Sequence, residues 1–247
     1  MIDAGNTLNT NETWRLMRGG KCSETFVDID YMDSVVDGCI LDMNRKYIAV
    51  GWKPYLGPNG CIVILNVSDA KGNIPVRTKI DVPRYCGHEK AVTNVRMSPI
   101  NENIFASCSD DKTVRVWDIP EGGIRQDVKQ ARFVFTGHTK KTTFCEFNPV
   151  CEEVIASGSL DKTIQIWNFR NGEVVCKANI PETPTGMCWN INGSLVGVAG
   201  KTRAYIVDPR QGSITGTTDF EAQGNTRITF ISNNCFTAIF TIKNRNR

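Results

Sequence analysis

The apolar positions of this chain fall into short alternating runs, and no stretch of ten or more residues combines the helical period with caps. The pattern is clearest over residues 113–117, where Thr113, Arg115 and Trp117 face one way and Val114 and Val116 the other. Strands are also predicted at 92–97 and 143–147, each ending before a proline, at Ser98-Pro99 and Asn148-Pro149. Proline closes a strand because it cannot donate to the ladder. Asp111-Lys112 and Asp161-Lys162 lie between two runs and read as tight turns. Fainter strands follow at 186–189, 195–199 and 204–208, and others precede, at 37–52 and 61–67. Residues 228–231 and 235–242 begin one more unit, so the chain is predicted to be all-β.

The runs repeat. Gly87-His88 recurs fifty residues later as Gly137-His138, and residues 106–118 recur as 156–168. In both copies the histidine precedes the tryptophan, Trp117 or Trp167, by 29 positions, and the aspartate precedes it by six. The third copy keeps the strand order but has Gly197, Lys201 and Val207 where Ser157, Asp161 and Trp167 stood. A unit of forty to fifty residues with Gly-His near its start and Trp-Asp near its end is the signature of a WD40 β-propeller.

Those residue types suit a shared hydrogen-bond chain, from turn aspartate to histidine, to serine hydroxyl, to indole N–H. The two expected sets are Asp111, His88, Ser107, Trp117 and Asp161, His138, Ser157, Trp167, each tying an outer loop to three strands of one blade. The same types would also make an Asp-His-Ser catalytic triad. They occur twice at one spacing beside a tryptophan, whereas an enzyme needs one triad, so the structural lock is the preferred reading.

Composition narrows the chemistry. Two histidines exclude a multi-histidine metal site, no nucleophile motif is present, and no cofactor is expected. The 29 basic and 26 acidic residues leave a net charge of +3, which excludes nucleic-acid binding by bulk charge. Ten cysteines show no C-x-x-C pair, and several sit in apolar runs such as residues 61–65, so they are expected to be free thiols in the core. No signal peptide or span of about 20 apolar residues is legible, and the expected location is the cytoplasm. Arg18-Gly19-Gly20-Lys21 lacks the full phosphate-loop pattern.

Within the repeats, Cys86-Gly87-His88, Ser98-Pro99-Ile100-Asn101-Glu102-Asn103 and Val116-Trp117-Asp118-Ile119-Pro120-Glu121-Gly122-Gly123 resemble the coronin family. So do Thr136-Gly137-His138-Thr139-Lys140-Lys141, Trp189-Asn190-Ile191-Asn192-Gly193-Ser194-Leu195, Asp208-Pro209-Arg210-Gln211-Gly212 and the long connection from 120 to 136. The opening Trp14-Arg15-Leu16-Met17-Arg18-Gly19 looks like a degraded form of the family's first strand. The resemblance implies a seven-bladed propeller, binding to actin filaments at the cell cortex, work with the branched-actin nucleating complex, and a C-terminal coiled coil. It implies a non-enzymatic scaffold, against the alternative of a generic WD40 adaptor in a ubiquitin-ligase or signalling assembly.

Against that family the sequence predicts a single incomplete propeller over 1–247, of four to five blades in an open arc, with no coiled coil. The clearest repeats are at 84–120 and 135–170, and residues 1–20 are the segment that would close a full ring. Such an arc would bare the apolar sides of two blades and is expected to aggregate. Glu24, Asp28, Asp30, Asp33, Asp37 and Asp42 form an acidic run unlike the family's basic strand. Arg15, Arg18, Lys140, Lys141 and Arg210 are the candidate actin contacts.

Overall fold

The structure is a computed structural model and describes residues 25–27, 38–52, 60–69, 73–75, 82–220, 226–233 and 235–240. Strand follows strand throughout, and among the described residues only Val67–Asp69 form a helical turn, of the 3-10 type. The first blade is a four-stranded antiparallel sheet of β2 (Leu41–Met43), β3 (Tyr47–Trp52), β4 (Gly60–Asn66) and β6 (Arg84–His88). Two short strands, β1 (Thr25–Val27) and β5 (Asn73–Pro75), pair in parallel apart from it.

The second blade comprises β7 (Val92–Met97), β8 (Ile104–Ser109), β9 (Val114–Asp118) and β10 (Phe133–Phe135). The third comprises β11 (Thr142–Phe147), β12 (Val154–Ser159), β13 (Thr163–Asn168) and β14 (Glu173–Asn179). The fourth comprises β15 (Gly186–Trp189), β16 (Val196–Ala199), β17 (Arg203–Asp208) and β18 (Ser213–Asp219). A two-stranded sheet of β19 (Thr226–Phe230) and β20 (Phe236–Phe240) begins a fifth. The sheets pack face to face in chain order, so the described residues form the open arc that the repeat count predicted.

The core lies between blades rather than within one. Ile62 and Tyr47 of the first blade pack with Val95, Phe105 and Trp117 of the second. Cys108 and Val116 of the second pack with Phe147, Ile155 and Trp167 of the third, and Ile166 of the third with Trp189 and Val198 of the fourth. An inner strand is therefore covered on both sides, and β8 is buried at every position, serines included. Period-two alternation survives on outer strands such as β14 and on β19, the inner strand at the open end of the arc.

The outer strand of each sheet belongs, in sequence, to the next unit. Cys86, Gly87 and His88 end the first blade as β6, although the repeat reading placed them at the start of the second. The 119–132 excursion then folds back on β6. The Val128 N–H donates to the Arg84 carbonyl and the Cys86 N–H to the Val128 carbonyl, both at 2.8 Å. Asp127 accepts from the Arg84 N–H at 3.0 Å.

The expectation of free thiols fails at one pair: Cys61 of β4 and Cys86 of β6 are joined by a disulfide. They face each other across a strand pair, with Cα atoms 4.3 Å apart, an adjacency that their 25-residue separation does not reveal. Cys39, Cys108, Cys145, Cys151, Cys176, Cys188 and Cys235 are free thiols. Among the described residues no helix is long and apolar enough to cross a membrane.

Candidate functional site

The two residue sets named from spacing come together in hydrogen-bond contact. In the first, Trp117 Nε1–H donates to Ser107 Oγ at 2.8 Å, and Ser107 Oγ lies 2.7 Å from His88 Nε2. His88 Nδ1 lies 2.9 Å from Asp111 Oδ2. In the second the corresponding distances are 2.7 Å from Trp167 to Ser157, 2.8 Å from Ser157 to His138, and 3.0 Å from His138 to Asp161. The serine must accept from the indole, so it donates to Nε2, and the neutral imidazole donates its Nδ1–H to the carboxylate. Burial favours that neutral form and pushes both histidines below the usual imidazole range. Burial would raise the aspartates, but their hydrogen bonds outweigh it and hold both below the usual carboxylate range.

The aspartates do more than orient a ring. Asp111 accepts from the backbone N–H groups of Glu89 and Thr113 and from the Thr113 hydroxyl, and Asp161 does the same with Thr139 and Thr163. Thr113 and Thr163 are thus members of the lock that the sequence reading missed. Their signal was present: each follows its aspartate by two positions in both copies.

The first lock does not join three strands of one blade. His88 stands on β6 of the first blade, while Ser107 and Trp117 stand on β8 and β9 of the second, so the lock couples neighbours. The glycine beside each histidine allows this approach. A Cβ on Gly87 would lie 2.6 Å from the Trp117 ring, and one on Gly137 would lie 3.0 Å from the Trp167 ring.

The fourth blade, which lacks the sequence signature, carries an inverted arrangement. Its carboxylate sits on the incoming loop, as Glu182, and accepts from the turn: from the Thr202 N–H at 2.9 Å and the Thr202 hydroxyl at 2.5 Å. In the second and third blades the carboxylate sits on the turn and accepts from the loop.

Ser107 and Ser157 are wholly buried, each with its oxygen held by an indole, so neither lock presents a nucleophile to a substrate. Among the described residues no group of three or more histidine, cysteine, aspartate or glutamate side chains is placed to hold a metal ion.

A second polar cluster lies among the inner strands. Arg96 of β7 meets Glu146 of β11 at 2.8 Å, beside Asp42 of β2, in a cavity of about 300 Å³ also lined by Cys188 and Trp189. Burial raises the Glu146 carboxyl to about 7, against the pull of Arg96.

Arg15, Arg18 and the acidic positions from Glu24 to Asp37 lie outside the described residues. Asp42 is turned inward and accepts from the Met97 N–H at 2.8 Å. Lys140 is exposed. Lys141 is half-buried and pairs with Asp110 of the neighbouring blade at 2.9 Å. Arg210 is exposed and clasps Asp208 of its own turn through two nitrogens. The three do not form one cluster: Lys140 and Lys141 precede β11, whereas Arg210 follows β17 at the opposite end of the sheets.

Four-stranded blades packed in sequence and joined by these locks define a WD40 β-propeller protein. The family described as "WD domain, G-beta repeat" matches residues 80–118 and 129–168. Within that class the chain is similar to coronins. It is 31% identical to Coronin-2B of Xenopus tropicalis over 98 residues, which make up 40% of this chain and 19% of that protein. It is 28% identical to Coronin-2A of Bos taurus over 158 residues, 61% of this chain and 30% of that protein. The crystal structure of the WD40 domain from Toxoplasma gondii coronin superposes with a TM-score of 0.78 at 26% identity, over 86% of this chain and 54% of that one. The stretches shared with these two curated relatives thus span less than a third of either protein's length.

Proposed function

We propose that this chain is a non-enzymatic, actin-filament-binding scaffold of the coronin type, acting at the cell cortex. The observation that carries the reading is the coronin-like sequence running through blades that also superpose on a coronin propeller. Propellers serve many partners, so the fold alone does not choose one. The choice rests on the family resemblance of the loops and repeat edges. The buried locks support a binding role, because they hold loop backbones rigid while leaving the loop side chains in solvent.

Filament co-sedimentation tests it. The expected result is weak binding that declines with added salt, as contacts between exposed charges do. Absence of the chain from the filament pellet at low salt would remove actin from the reading and favour a WD40 adaptor for another assembly.

A further inference from the structure

The loops that lead into the inner strands and the turns after the second strands share one face of the arc. That face carries five exposed lysines: Lys90, Lys112, Lys140, Lys162 and Lys201. Four of them are two equivalent pairs. Lys90 and Lys140 precede β7 and β11, and their carbonyls accept from the Ser109 and Ser159 hydroxyls at 3.1 and 3.0 Å. Lys112 and Lys162 occupy the turns, and their N–H groups donate to the Ser109 and Ser159 carbonyls at 3.2 and 3.1 Å. The lysine stems therefore rise from fixed backbone. Four carboxylates outside the locks share the face. Glu89 is exposed, Asp110 is paired with Lys141, Glu182 accepts from Thr202, and Asp219 at the end of β18 accepts from Arg203. Lys162 Nζ also reaches the Pro181 carbonyl at 3.2 Å.

Lys112 and Lys162 are the two non-glycine residues with positive φ among the described residues, at 72° and 65°. The left-handed region disfavours a side chain, and glycine would hold the same turn at lower cost. Both turns nevertheless place a lysine there, so the local backbone does not explain the residue. What it adds is a cation at each of these two turns.

We infer that this face docks an acidic polypeptide surface through Lys90, Lys112, Lys140, Lys162 and Lys201. The inference deepens the actin reading by naming a face, and it rests on that reading only for which acidic protein is met.

The Lys112→Gly/Lys162→Gly double variant separates binding from folding, because it removes two cations while relieving two strained turns. Its melting temperature should rise above that of the wild type. Its binding to actin filaments, and to a fluorescent poly-glutamate peptide, should weaken at least fivefold at low salt. Unchanged binding of both probes would overturn the inference while leaving actin binding intact. Wild-type binding to the peptide but not to filaments, lost in the variant, would uphold the face and remove actin. Binding to neither probe would overturn it, as would capture by phosphatidylserine vesicles alone, which would assign the face to a membrane.

Discussion

At the residue scale, the locks are costly to break because their histidines, serines and tryptophans are buried and each hands its hydrogen bond to the next. Replacing Asp161 with alanine strands the His138 Nδ1–H, the Thr139 N–H and the Thr163 hydroxyl together. The expected loss is roughly 1–3 kcal/mol in urea unfolding. Replacing the exposed Asp219 in the same way should cost no more than a few tenths. Gly137→Ala should also destabilise, since its new methyl meets Gln165 and Trp167. The histidines set a pH limit. Their folded values lie below the ordinary one of about 6.5, so their contribution is complete above that pH and is lost as the pH falls below it. The replacement of Asp111 or Asp161 by asparagine should leave the burial but remove the anion, and a circular-dichroism melt series from pH 8 to 5 would then show a steeper acid decline.

At the scale of the blade, the fourth unit shows why a weak repeat can still be held. A search for the motif looks for an aspartate on the turn and finds Lys201 there. The carboxylate had moved to the loop as Glu182, and nothing in local spacing announces the exchange. Replacing Glu182 with alanine frees the Thr202 N–H and hydroxyl, which remain accessible to water. The expected cost is therefore smaller, about 0.5–1.5 kcal/mol. Hydrogen exchange should rise at the turn from 200 to 203 while the second and third blades keep their protection. Protection equal to the wild type at that turn would mean that the inverted contact does not hold the blade. The outer strands pose the same problem in another form. Their sequences mark them as strands, but membership of one sheet or the next is settled by packing, which is why Gly87 and His88 close the first blade while serving the lock of the second.

At the scale of the molecule, the inner strands pack around a half-buried charge pair. Glu146 titrates in the fold near pH 7, against about 4.5 when unfolded, because burial disfavours its anion more than Arg96 favours it. The folded chain holds the proton over that window and the unfolded chain does not. The Glu146 contribution to stability therefore falls as the pH rises from about 4.5 to 7, by roughly 1–3 kcal/mol, and is level above that. This runs against the histidine effect. Stability measured across pH 5–8 for the wild type and for Glu146→Gln separates the two, and the variant should lose the component that declines with rising pH. Identical slopes in the two proteins would show that Glu146 does not exchange a proton in this range.

The sequence by itself determined the all-β architecture, the number of blades and the membership of both locks apart from the threonines. Those features are written in periods, two along a strand and fifty between units, and a period is legible without coordinates. Only the tertiary structure decided that Cys61 and Cys86 are bonded, that His88 belongs to one blade and works for another, that Glu182 replaces a missing aspartate, and that Arg96 meets Glu146. The physical reason is common to all four. Each is a contact between strands or loops brought together by sheet pairing and blade stacking, and a period marks positions as equivalent, as it does Arg96 and Glu146 one repeat apart, without marking them as neighbours.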